Sequence, residues 1–109
     1  MTKKEADRWL HKIYQALKEP GMKAKLNRKL EPLYGTCTVS AKEVLLEFNP
    51  NKGMAKGGFL STMLHECLHL VNFEDEQWVR KTEKEMFSLL TDRQLQNLLK
   101  RVVGIMCKK

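Results

Sequence analysis

Residues 59–72, Phe59-Leu60-Ser61-Thr62-Met63-Leu64-His65-Glu66-Cys67-Leu68-His69-Leu70-Val71-Asn72, decide how the rest of this chain is read. Apolar side chains at 59, 60, 63, 64, 67, 68 and 71 recur at steps of three and four, which predicts a helix. The polar positions are Ser61, Thr62, His65, Glu66, His69 and Asn72, and they make a single stripe. A solvated stripe would favour Lys and Glu. Small residues, two histidines and one glutamate on an otherwise apolar helix point to a buried helix lining a cleft.

The chain around this helix supplies the other elements. On the amino-terminal side, Ala6, Trp9, Leu10, Ile13, Tyr14 and Leu17 predict an amphipathic helix over Lys3 to Lys18, closed by Pro20-Gly21. Thr36-Cys37-Thr38-Val39 and Glu43 to Phe48 read as two strands of a hairpin, with Val44, Leu46 and Phe48 on the packed face. Asn49-Pro50 ends the second strand, and the glycine-bearing run Asn51 to Gly58 reads as a loop. That run lacks the G-x-x-x-x-G-K-[ST] order of a phosphate loop, which excludes this route to nucleotide binding. Beyond residue 72, Asp75 to Leu90 and Asp92 to Val103 predict two more helices, the last opened by the capping pattern Thr91-Asp92-Arg93-Gln94. The expectation is one α+β domain over residues 1–109, with a short antiparallel sheet packed on the histidine-bearing helix and flanking helices.

Composition narrows the functional classes. The 109 residues carry 20 Lys+Arg against 13 Asp+Glu, a formal charge of +7, with 42% hydrophobic residues. Cys37, Cys67 and Cys107 are odd in number and have no C-x-x-C spacing, which argues against a disulfide framework or a cysteine-built zinc knuckle. By helical phase Cys67 points away from the histidines and reads as core. No apolar run approaches the roughly 18 residues of a membrane span, and Met1 to Ala6 leads into a polar helix, so the expected location is cytoplasmic, with no membrane partner. The positive balance admits nucleic acid or acidic partners. Lys23, Lys25, Arg28 and Lys29 form either a short solvated helix or a basic patch.

His65-Glu66-Cys67-Leu68-His69 is H-E-x-x-H, and its spacing carries chemistry. Residues four apart share a helix face, so two imidazoles can hold one zinc while the glutamate meets a metal-activated water as general base. A catalytic zinc needs a third protein ligand and an open position. Glu74, Asp75, Glu76 and Glu83 are the acidic candidates. If the chain turns back near Asn72-Phe73, the position opposite His69 is Glu76, whereas Glu83 falls opposite about Thr62. His11 lies off the apolar face of the first helix and reads as solvated, and Trp9 and Trp78 each fit a core stripe.

On the strand pair, the glycine-bearing loop, the H-E-x-x-H helix and the following Asp75-Glu76-Gln77-Trp78-Val79, the chain resembles the zincin metallopeptidases between about Tyr34 and Leu90. More narrowly it resembles very short gluzincin-like members, including small phage-encoded ones. The resemblance implies His65, His69 and Glu76 as zinc ligands, Glu66 as general base, and a protein or peptide substrate. It also implies that the strand Glu43 to Phe48 receives an extended substrate at its edge. Arg80 departs from the pattern, because gluzincins often carry an acid four residues after the ligand glutamate. The metzincin-like alternative would take Asp75 as third ligand and has Asn72 where its glycine belongs. Two rival readings stand beside the peptidase: a DNA-associated protease module using Lys23 to Lys29, and a zinc-bearing scaffold without catalysis.

Overall fold

A computed structural model describes residues 1–30, 35–49, 58–72 and 75–107. The loop read over Asn51 to Gly58, apart from Gly58, the turn residue Phe73 and the candidate ligand Glu74 lie outside these residues. The element order is α1 (Lys3–Leu17), β1 (Met22–Leu26), a 3-10 turn (Arg28–Leu30), β2 (Gly35–Val39), β3 (Val44–Phe48), α2 (Gly58–Leu68), α3 (Glu76–Leu89) and α4 (Asp92–Met106). The fold is a small α+β domain, as the periodicities imply.

Local chemistry accounts for the helix boundaries. Thr2 and Glu5 form a capping box on α1, and Thr91 and Gln94 form another on α4, each satisfying backbone donors that the first helical turn leaves unpaired. Asp75 caps α3 by accepting from the Trp78 N–H at 2.9 Å. Ala6, Leu10, Ile13 and Leu17 of α1 and Leu95, Leu98 and Val102 of α4 turn inward at helical spacing. The two helices are tied at their rim by Gln94, which donates to Asp7 at 2.8 Å and accepts from Lys3. Trp9 meets Trp78 edge-on, ring centroids 4.9 Å apart, joining α1 to α3.

The sheet has the order β1-β3-β2. The predicted hairpin is present, with Gly35 to Val39 paired antiparallel to Phe48 to Val44. β1 adds itself parallel to β3, so the sheet is mixed rather than wholly antiparallel. The basic stretch read as a short helix or patch supplies this strand. Ala24 is its one buried residue, and Lys23 and Lys25 alternate to the outer face. Gly21 makes the entry to β1: its φ is +83°, its carbonyl accepts from the Val44 N–H at 2.9 Å, and a Cβ would collide with the Lys42 carbonyl. Only glycine fits that backbone without strain.

This order corrects one expectation. β3, predicted to offer an edge to substrate, is central and hydrogen-bonded on both sides, so only β1 and β2 have edges. Its alternation holds, with Leu46 and Phe48 fully buried. They join Met63, Leu64, Cys67 and Leu68 of α2 and Val79 and Met86 of α3 in one core that holds α2 between the sheet and α3.

Candidate metal centre

The polar stripe of α2 faces two neighbours. Regular helix ends at Leu68, but the His69 N–H still reaches the His65 carbonyl at 3.4 Å, which keeps both imidazoles in phase. His65 Nε2 lies 2.8 Å from Glu76 Oε1, and His69 Nε2 lies 2.7 Å from Glu76 Oε2. Glu76 is the first residue of α3. Two nitrogen donors and a carboxylate oxygen therefore lie within 4.8 Å of one another, an arrangement that could hold a metal ion. The donor set fits one: imidazole nitrogen and carboxylate oxygen are ligands for zinc and its first-row neighbours. The side chains of His65, His69 and Glu76 are 19%, 15% and 48% exposed, so the trio is reached from solvent.

The competing carboxylates are engaged elsewhere. Asp75 is the cap of α3. Glu83 accepts a hydrogen bond from Ser61 Oγ at 2.8 Å, one residue from its predicted place opposite Thr62, and so ties α3 to α2 behind the histidines. Arg80, which stands where gluzincins often carry an acid, faces the candidate ligand itself. Its Nε donates to Glu76 Oε1 at 3.2 Å from the next turn of α3. Burial raises the Glu76 pKa, but the charge of His65, the Arg80 hydrogen bond and His69 outweigh it, and the carboxyl sits below its ordinary range. A ligand carboxylate must be ionised and ligand imidazoles neutral, so of these causes the Arg80 hydrogen bond is the one that still favours ionised Glu76 when both histidines are free to bind metal.

Glu66 is a separate case. It is 6% exposed, and burial, with the negative charge of Glu76 added, pushes its carboxyl up to about 7. Its side chain runs against the start of β2, where the Cα of Gly35 leaves room for it. No feature of the sequence signals that approach, because Gly35 reads there as punctuation between Pro32 and the first strand. Cys67 is fully buried and its thiol is pushed up by burial, as expected of a core residue. His11 is exposed. Cation pairing reduces the basic patch: Lys23 reaches Glu43 at 2.8 Å and Lys25 reaches Glu47 at 3.9 Å across the sheet. Among the described residues no helix is long and apolar enough to cross a membrane.

No protein-family model, curated protein or solved structure matches the chain. The site is therefore read from its own geometry.

Proposed function

We propose that this chain is a zinc-dependent peptidase in which His65, His69 and Glu76 hold the metal and Glu66 is the general base. The observation that carries the reading is the seat of Glu76, whose two oxygens face the Nε2 atoms of two histidines one helical turn apart. Zinc, when bound, would acidify a water toward neutrality and polarise the scissile carbonyl. His65 and His69 serve as neutral imidazole donors, and Glu76 supplies the anionic oxygen. Glu66 is next to His65 on α2 and largely withdrawn from solvent. Its carboxylate takes the proton of the attacking water and returns it to the leaving amine. Burial and the Glu76 charge hold the Glu66 carboxyl at about 7, and the charge of a bound zinc would favour its ionised, proton-accepting form.

The substrate class, a protein or peptide, follows from the resemblance of the motif and its context to zincins. The DNA-associated rival rests on the charge of +7. Two of the four cations of its patch have acidic partners across the sheet, which weakens it. The scaffold rival leaves a buried carboxyl beside the trio without a task. Incubating the zinc-loaded protein with a mixed peptide library, read by mass spectrometry, tests the reading. New termini that vanish with a chelator and with Glu66→Gln support it, and an uncleaved library contradicts it.

A further inference from the structure

Gly35 opens β2 and pairs with Phe48 of β3. Its φ is outside the left-handed region, so the backbone conformation does not call for glycine. Space does. A Cβ at this position would lie 2.9 Å from Glu66 Cγ, 3.0 Å from the Glu47 carbonyl oxygen and 3.3 Å from Thr62 Cγ2. The first is closer than carbon atoms approach without displacement.

The three walls differ in how they can yield. The Glu47 carbonyl belongs to the backbone of the central strand, held on both sides by hydrogen bonds. Thr62 is a β-branched residue on α2, stiff at χ1. Glu66 meets the closest of the three contacts, at its Cγ, and because Cγ turns only with χ1, any yielding there carries the whole carboxylate with it. Cys37, two residues along β2, is a second sign that Glu66 lies beneath this strand: burial raises its thiol, and the Glu66 charge raises it further.

We infer that Gly35 is a positioning residue for Glu66, its missing Cβ forming the slot that aims the carboxylate of Glu66 at the metal-binding trio. The inference rests on the peptidase reading for its consequence in turnover, and on geometry alone for the slot. A methyl group at position 35 moves the proton acceptor and leaves the ligands in place, because His65, His69 and Glu76 are set by the meeting of α2 with α3 rather than by β2.

The test compares zinc-loaded wild type with Gly35→Ala, using Glu66→Gln to assign the Glu66 side-chain carboxyl resonance in ¹³C-glutamate-labelled protein. In Gly35→Ala that resonance shifts while the imidazole resonances of His65 and His69 keep their wild-type positions, and zinc affinity stays within about threefold, less than the loss of an outer partner of a ligand causes. On a peptide that the wild type cleaves, kcat falls by about 100-fold with KM nearly unchanged, the cost expected of a misplaced group. Adding Thr62→Ser relieves only the 3.3 Å Cγ2 contact and leaves the one on Glu66 Cγ, so the resonance stays displaced and kcat stays low; this roomier double variant is the one read if Gly35→Ala alone unfolds. An unmoved Glu66 resonance in Gly35→Ala, or lost zinc affinity with a normal resonance, overturns the slot. If the wild type cleaves no peptide, the peptidase reading fails, yet the resonance still decides the role of Gly35.

Discussion

Glu76 Oε2 stands 2.7 Å from His69 Nε2, although the two residues belong to different elements and the chain reverses between them. That contact, repeated by Glu76 Oε1 on His65, selects Glu76 over its acidic neighbours. Glu76→Ala should therefore weaken zinc binding far more than Asp75→Ala or Glu83→Ala. Competition titrations with a chromophoric chelator rank the three. Loss of an outer partner costs about 10- to 100-fold, so Glu83→Ala, which frees Ser61, should fall at or below that range. Asp75→Ala as the worst variant would move the ligand role to the metzincin-like position.

Asp75 should instead reveal itself in stability. It caps α3, and replacing such a cap by alanine costs about 1 kcal/mol, roughly 4–8 °C in Tm for a domain of this size. Asp75→Asn, which keeps an accepting oxygen, should recover most of the loss. Calorimetry of the metal-free protein separates this from any effect on the metal. Equal melting of wild type and Asp75→Ala would contradict the cap assignment.

Metal binding should stabilise the fold by mass action. With free zinc at about 100 times its dissociation constant, the native state gains about 2.7 kcal/mol. Wild type should show a Tm that climbs with zinc and falls back with chelator, whereas His65→Ala and His69→Ala should show neither, since each leaves too few ligands. A zinc-dependent Tm that survives His65→Ala would place the metal elsewhere.

The two helix-packed histidines and the acid that meets them were legible because both depend on local spacing: 65 and 69 lie one turn apart, and a chain reversing after Asn72 brings back the start of the next helix. Glu83 landing on Ser61, and Leu46 and Phe48 in the core, follow from the same periodicities. The position of β3 in the middle of the sheet was not legible. It depends on Met22 to Leu26 joining in parallel, a long-range pairing that no local pattern announces, and alternating lysines disguised that strand as a charge run. Nor could the closeness of Gly35 to Glu66 be read, since it arises only where β2 crosses α2.

Two glycines should respond oppositely to alanine. Gly21 has φ +83° and faces the Lys42 carbonyl, so Gly21→Ala should destabilise by about 1–3 kcal/mol, the cost of a side chain held in a rare backbone region. Gly104 lies within α4 with nothing near its would-be Cβ, so Gly104→Ala should stabilise by about 0.5–1 kcal/mol. Urea unfolding of both variants checks the pair of signs. A stabilised Gly21→Ala would mean that the turn into β1 is built differently.

On the proposed reading, Glu66 moves a proton in zinc-dependent peptide hydrolysis. The most direct measurement compares cleavage of one mixed peptide library by zinc-loaded wild type and zinc-loaded Glu66→Gln, with metal content verified in both. The amide preserves shape and cannot take the proton, so the account predicts cleavage by wild type and a loss of about 100-fold or more in the variant, at equal zinc occupancy. Cleavage by Glu66→Gln at the wild-type rate, or by neither protein, would contradict it.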